Sequence, residues 1–224
     1  MGYYINLKLI SIDEYKEILK TADLLPSWQV LKEDIDKNLD IIKKHNIQNL
    51  DELLVALKNK SKLQEFSKQS GLSENYLAVL RRVVNGYQPK PNRIKDFNCI
   101  DENIVRKLET LGIKNTFKLY EKVQTSEKRN KFSKEIEVSK NEIMKLTKLT
   151  DLSRIRWVNH TFAYVLLEAG YDTAEKVANA DYFELYETVK QLNKEREIYN
   201  AHIGAHDMKL CVESAQNLDF EIEY

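Results

Sequence analysis

The fold is decided by IIKKHNIQNLDELLVALKNKSKLQEFSKQSGLSENYLAVL, residues 41–80, which lines up without a gap on KLETLGIKNTFKLYEKVQTSEKRNKFSKEIEVSKNEIMKL, residues 107–146. The aligned positions include two aromatic and four serine residues, in the pairs Phe66/Phe132, Ser67/Ser133 and Ser73/Ser139. A third, partial copy begins at VLLEAGYDTAEKV and ends at IGAHDMKLC, where Gly204 takes the serine position. Self-similarity at a fixed spacing is the sequence signature of a repeat architecture.

Each copy contains a joint between two helices. Asn46, Gly112 and Gly170 occupy the same repeat position, and Asn and Gly most readily adopt the left-handed conformation that ends a helix. A tighter joint lies just upstream, where DFNCIDENIVRKLETLGI, residues 96–113, aligns with RIRWVNHTFAYVLLEAGY, residues 154–171. This layout predicts a helix-hairpin-helix.

Helix signals dominate the whole chain. Pairs of residues typical of helix N-terminal capping boxes occur at Ser11/Glu14, Asn49/Glu52, Ser61/Gln64, Ser139/Glu142 and Asp172/Glu175. Strand-like alternation appears only weakly, between Tyr3 and Ile10. We therefore expect an all-α fold of tandem helix-hairpin-helix (SAM-like) repeats, with about a dozen short helices that pack on one another because short helices are marginal alone.

The repeat divides the chain into four segments. Residues 1–40 form an N-terminal helical segment, residues 41–106 the first repeat, residues 107–164 the second, and residues 165–224 a partial third. The first repeat includes a crossover at 85–95, which holds two of the three prolines, and the second includes a hairpin at 155–162.

Composition limits the classes of function. The 224 residues are 42% hydrophobic and 31% charged with a net charge of zero, so any nucleic-acid binding must come from a local basic patch. No apolar run approaches the roughly 20 residues of a membrane span, and two cysteines allow neither a disulfide framework nor a multi-cysteine zinc site. We expect a cytoplasmic protein without a membrane partner.

The motifs LTDLSRIRWV, FAYVLLEAGYDTAEKVA, YQPKPNRIKDF, LGIKNTFKLYE and HIGAHDMKL, together with LLPSWQVLKEDID, resemble the helix-hairpin-helix-like proteins of the family named domain of unknown function 4332. The resemblance extends through nearly the whole chain. It implies a fold of tandem helix-hairpin-helix units, but it implies no reaction and no catalytic residues.

The second hairpin is the main candidate for binding nucleic acid. In DNA-binding hairpins, glycines let backbone N–H groups approach a phosphate, but NCIDEN and WVNHTF contain none, and Asp101 and Glu102 crowd the first turn. The second turn instead gathers basic residues, and the candidates are Arg154, Arg156, Trp157, His160, Lys145 and Lys148. The alternative is structural: Leu152, Ile155 and Val158 pack inward while the arginines cap a helix or form salt bridges.

The proline-containing crossover offers a second basic cluster. Lys90, Arg93 and Lys95 lie beside Tyr87, and basic loops with an aromatic residue can clamp a nucleic-acid strand. Alternatively, the prolines merely stiffen a connection between repeats.

An enzymatic function has less support. His202 and His206 have the four-residue spacing of metal ligands on one helix, but Gly204 at a helix start would separate them, with Asp207 as the capping acid. We therefore expect no metal, no cofactor and no catalytic residue. The two hypotheses that remain are sequence-independent binding of DNA or RNA through phosphate contacts, and a protein-interaction scaffold that binds no nucleic acid.

Overall fold

The computed structural model describes residues 2–224, and all regular secondary structure in that range is helical. The all-α prediction is confirmed, with thirteen α-helices and three short 3-10 helices among the described residues. Tyr3 to Ile10 forms no strand, and Leu7–Leu9 is a 3-10 turn. Within residues 2–224, no helix has the length and apolar character that crossing a membrane requires.

The described chain divides into two compact units, and the first unit is Ile5–Gln88. Its α-helices are α1 (Ile12–Thr21), α2 (Ile35–Lys44), α3 (Leu50–Ala56), α4 (Lys60–Ser70) and α5 (Glu74–Asn85). A 3-10 helix at Pro26–Lys32 packs on α1 and α5. The buried core consists mainly of leucine, with Tyr15, Trp28 and Phe66 adding aromatic rings.

The second unit comprises the described residues up to Tyr4 together with Pro89–Tyr224. Its α-helices are α6 (Glu102–Thr110), α7 (Thr116–Val123), α8 (Ser126–Glu135), α9 (Lys140–Leu152), α10 (His160–Glu168), α11 (Ala174–Ala178), α12 (Tyr182–Arg196) and α13 (Ala205–Gln216). Helix α9 packs against α7, α8 and α10, while α13 packs against α11 and α12. The predicted crossover contains the division between the units, and residues 86–93 are not helical.

The helices recur at the spacing of the sequence repeat. Helices α3, α4 and α5 begin at residues 50, 60 and 74, each 66 residues before α7, α8 and α9. The aligned serines make the same bond, because Ser67 Oγ donates to the Leu72 carbonyl at 2.6 Å and Ser133 Oγ donates to the Val138 carbonyl at 2.7 Å. The three joint residues all have positive φ: Asn46 at 62°, Gly112 at 74° and Gly170 at 86°.

Three of the five predicted N-caps are confirmed. The side chains of Ser11, Asn49 and Ser139 each accept a hydrogen bond from the backbone N–H three residues later. The predictions at Ser61 and Asp172 are wrong, because Asn59 and Thr173 cap those helices. Asp172 is instead held in ion pairs with Lys148 and Lys176, so its carboxylate is not available to cap α11.

Candidate functional site

The second hairpin turn connects α9 to α10. The Val158 N–H donates to the Ile155 carbonyl at 3.2 Å, and Trp157 inside this turn has a φ of 67°. The Asn92 side chain, from the loop before α6, donates to Ser153 Oγ at 2.9 Å and to the Val158 carbonyl at 3.1 Å. The loop that carries Lys90, Arg93 and Lys95 is therefore attached to the second hairpin.

Arg154 does not lie on the surface of this hairpin. Its side chain is buried, with only 2% of its area exposed, and its guanidinium donates to Asp151 Oδ1 and to the carbonyls of Tyr3 and Asp219. It also lies 5.0 Å from the centre of the Tyr120 ring. The sequence places Arg154 among the candidates for phosphate contact, but in the structure its donors serve a buried network. For this residue the structural alternative is the correct one, and Leu152, Ile155 and Val158 are buried as that alternative expects.

Asp151 is the centre of this network, and it is not among the site residues predicted from the sequence. Its Oδ2 accepts hydrogen bonds from the Ala174 N–H at 2.8 Å and from the Tyr224 hydroxyl at 2.9 Å. In the repeat, the N–H groups equivalent to that of Ala174 belong to Leu50 and Thr116, and each donates to a backbone carbonyl. A buried carboxylate thus replaces a carbonyl in the third copy. The sequence signal for this pair is the three-residue spacing of Asp151 and Arg154 at the end of α9, which allows an ion pair.

Lys145 and Lys148 are half-buried on α9, and each has a partner within the fold. Lys145 Nζ donates to the Cys99 carbonyl at 2.6 Å, so it stabilises the first hairpin turn. Lys148 pairs with Asp172. Burial acts to raise the pKa of Asp172, but the hydrogen bonds and positive charges of Lys148 and Lys176 together bring that pKa below its ordinary value. The basic strip stays a prediction, and in the structure each ammonium group has a partner within the fold.

Of the remaining hairpin candidates, Trp157 is exposed and Arg156 is half-buried. The guanidinium carbon of Arg156 lies 4.4 Å from the centre of the Trp157 ring, and 48% of the tryptophan is exposed. His160 is half-buried, with its ring edge-on to Phe97 at 6.3 Å. This arrangement presents one large aromatic surface with a cation stacked on it.

The crossover residues differ from one another. Lys90 and Lys95 are exposed. Arg93 pairs with Asp96 at 2.8 Å, and the hydrogen bond from Arg93 is the main reason that the pKa of Asp96 lies below its ordinary value. Tyr87 packs against the core of the first unit near Tyr15. Its ring is therefore partly buried, which differs from the exposed aromatic residue that a nucleic-acid clamp would use.

The histidines and cysteines of residues 2–224 offer little support for a metal site or a reactive thiol. Gly204 caps α13, its N–H donating to Asp207, so His202 and His206 lie on different elements as expected. Within the described range, no group of three or more His, Cys, Asp or Glu side chains could hold a metal ion. Burial raises the pKa of the Cys211 thiol to about 12, and burial also raises that of Cys99, so neither sulfur is an activated nucleophile.

The family comparison agrees with the sequence resemblance over part of the chain. The model of a family described as a domain of unknown function (DUF4332) matches residues 98–218, which is more than half of the chain. The chain belongs to this family. The DUF4332 match extends from the first hairpin turn to the end of α13, all within the second unit. No curated protein and no solved structure matches the chain.

Proposed function

We propose that this DUF4332 protein is a non-enzymatic protein-interaction module and that Arg156 and Trp157 form part of its contact surface. The main support for this proposal is Trp157. Its backbone is in the left-handed region, and its half-exposed ring has the Arg156 guanidinium stacked on it. Trp and Arg are the residues most enriched at the energetic centres of protein interfaces. A non-glycine residue in this backbone region costs roughly 1–3 kcal/mol, and such strain is concentrated at functional positions.

The charge distribution favours a protein partner over nucleic acid. Non-specific nucleic-acid binding draws its affinity from cations that neutralise phosphates. Four of the predicted cations already have internal partners: Arg154, Lys145, Lys148 and Arg93. Residues 89–224 also contain 22 lysines and arginines against 23 acidic residues. The other candidates for nucleic-acid contact are Arg156, Trp157 and His160, with Lys90 and Lys95 on the attached loop.

We further infer a tandem helix-hairpin-helix scaffold. Helix α10 begins and ends 58 residues after α6, and the turn before each helix is closed by the same bond, Ile100 N–H to Phe97 and Val158 N–H to Ile155. Only the second turn contains a residue with positive φ. These shared features support the same scaffold at both joints, and the exposed tryptophan supports the choice of the second as the contact surface.

Affinity capture with matched baits tests this proposal. The wild type, Trp157→Ala and Phe183→Ala would be immobilised and exposed to nuclease-treated lysate of the source organism. Phe183 is a suitable control because it is another exposed aromatic residue of the second unit. We expect the wild type and Phe183→Ala to recover the same partner, and Trp157→Ala to recover at least about tenfold less, as loss of an interface hot spot predicts.

Equal recovery by all three baits would contradict a contact at the second hairpin. Recovery from untreated lysate that disappears after nuclease treatment would instead favour the nucleic-acid hypothesis.

A further inference from the structure

A solvent-open groove of about 550 Å³ lies between α4 and α5 in the first unit. Its lining includes the cations Lys60, Arg81 and Arg82 but only one carboxylate, Glu74. None of the three cations forms an ion pair with a residue in the described range 2–224. The groove is therefore positively charged, although the whole chain is neutral.

In the second unit, positions that match this lining, at the start of α8 and near the end of α9, are contacted by the chain's own residues 218–224. Adding 66 to Lys60, Leu63 and Asn85 gives Ser126, Arg129 and Asp151. The segment LDFEIEY, residues 218–224, lies against these residues. The Ser126 N–H donates to Glu223 at 3.3 Å, and the Tyr224 hydroxyl donates to Asp151 at 2.9 Å.

The 218–224 segment has no regular secondary structure and alternates acidic with large apolar side chains. The Glu223 N–H donates to the Gln124 carbonyl at 2.9 Å, and Tyr120 donates to Glu221 at 3.1 Å. Ile222 is buried with Tyr3 and Tyr120. Backbone bonds, a carboxylate at a helix start and one apolar anchor therefore hold this segment.

The first-unit groove shares the helix start and an arginine bonded to the preceding helix end, and it has more positive charge. Arg129 donates to the Val123 carbonyl at the end of α7, and Arg81 donates to the equivalent Leu57 carbonyl at 3.1 Å. At the helix start that binds Glu223 in the second unit, the first unit has Lys60 in place of Ser126. A carboxylate bound there would meet a lysine as well as the helix N-terminus.

We propose that the groove between α4 and α5 binds an acidic, irregular segment of a partner protein, one that alternates carboxylates with apolar side chains as residues 218–224 do. The positive charge of the groove complements such a segment, and the second unit provides the template for its docking. This surface lies in a different unit from Trp157, so the inference goes beyond the proposed function and does not depend on it.

A peptide titration tests this inference. The probe is a fluorescently labelled peptide of sequence LDFEIEY, added to the full chain and followed by anisotropy. We expect saturable binding that weakens at least tenfold in Lys60→Glu/Arg82→Glu. The matched control Lys37→Glu/Lys68→Glu makes the same charge change at exposed lysines outside the groove lining and should leave binding unchanged. Arg81 is left intact because it also bonds Leu57.

Two further arms make the result decisive. The peptide LNFQIQY, in which amides replace the three carboxylates, should bind at least tenfold more weakly than LDFEIEY. The Trp157→Ala variant should bind LDFEIEY as tightly as the wild type does, which separates this groove from the hairpin surface. The proposal would be overturned if the wild type showed no saturable binding of LDFEIEY, or if Lys60→Glu/Arg82→Glu bound the peptide as tightly as the wild type. It would also be overturned if inorganic phosphate displaced the labelled peptide as well as the unlabelled peptide does. Self-association that Lys60→Glu/Arg82→Glu abolishes would also overturn it, because the occupant would then be a second copy.

Discussion

Arg154 and Asp151 form a buried ion pair whose members also bond Tyr3, Asp219, Ala174 and Tyr224. Removing one partner of a buried pair leaves the other charge uncompensated, which typically costs 3–5 kcal/mol. We expect Arg154→Met to lower the free energy of unfolding by about that amount, measured by urea denaturation.

Arg106 provides the matched control for this substitution. It pairs with Glu102 at 2.9 Å, but both side chains are largely exposed to solvent. Exposed pairs four residues apart on a helix contribute about 0.3–0.5 kcal/mol, so Arg106→Met should change stability little. A loss below about 1 kcal/mol for Arg154→Met would show that Arg154 is not a structural residue.

The two cysteines should differ in reactivity. Burial raises the pKa of Cys211 to about 12, and its thiolate is therefore rare near neutral pH. Cys99 is only partly buried, and its pKa is raised by burial against the opposing effect of Lys145. We expect iodoacetamide at pH 8 to label Cys99 first in the folded protein, as mapped by mass spectrometry. If Cys211 were labelled as fast as Cys99 in the folded protein, and if urea did not accelerate its labelling, the buried position of Cys211 would be contradicted.

The second hairpin turn contains a left-handed residue, Trp157. A left-handed backbone costs a residue with a Cβ atom roughly 1–2 kcal/mol, whereas glycine adopts it freely. At position 157, where φ is 67°, we therefore expect Trp157→Gly to be about 1 kcal/mol more stable than Trp157→Ala. The measurement is the urea midpoint of each variant at constant m-value.

Cys99 occupies the equivalent place in the first turn, and its φ is not positive. There the order should reverse, with Cys99→Ala at least as stable as Cys99→Gly. If alanine were also the better residue at position 157, the strain argument for a functional tryptophan would be lost.

Sequence predicted the elements better than their ends. The repeat spacing predicted the recurring helices, because the same apolar and joint residues recur at the same spacing. The sequence predicts caps at Ser61 and Asp172 because a Gln or Glu follows each of them three residues later. The actual caps, Asn59 and Thr173, have lysine at that place, and one side-chain bond is sufficient to cap a helix without a reciprocal acid.

At the scale of the whole molecule, the site was less predictable than the fold. Arg154 lies within three residues of Asp151, yet its burial depends on Tyr3 and Asp219, far away in the chain. Local composition indicates a basic cluster but contains no information on which distant carbonyl or carboxylate will pair with each cation. For the same reason, the acidic 218–224 segment gave no sign of its position beside α8 and α9.

The stability of the whole chain should fall at alkaline pH. Burial raises the pKa values of Tyr76 and Tyr120 to about 12 and also raises those of Tyr3 and Tyr224. The unfolded chain loses these protons near pH 10, so above that pH it binds fewer protons than the folded chain and unfolding becomes easier. The stabilisation is complete below about pH 9 and decreases as the pH rises towards 12.

Urea denaturation at pH 8 and pH 10.5 measures this effect. We expect a lower midpoint at pH 10.5, and the fluorescence of Trp28, which is buried in the first unit, provides a signal for unfolding. An unchanged midpoint would show that the phenols ionise in the folded chain as readily as in water.

The central claim is that the second hairpin, with Arg156 and Trp157, binds protein rather than nucleic acid. A titration with labelled single- and double-stranded DNA and RNA tests this claim most directly. The wild type and Arg156→Glu would be compared at low and moderate salt. We predict no saturable binding by either protein at low salt, because most of the hairpin's cations are already paired. Micromolar or tighter binding that weakens with salt and is lost in Arg156→Glu would contradict this account and favour the nucleic-acid hypothesis.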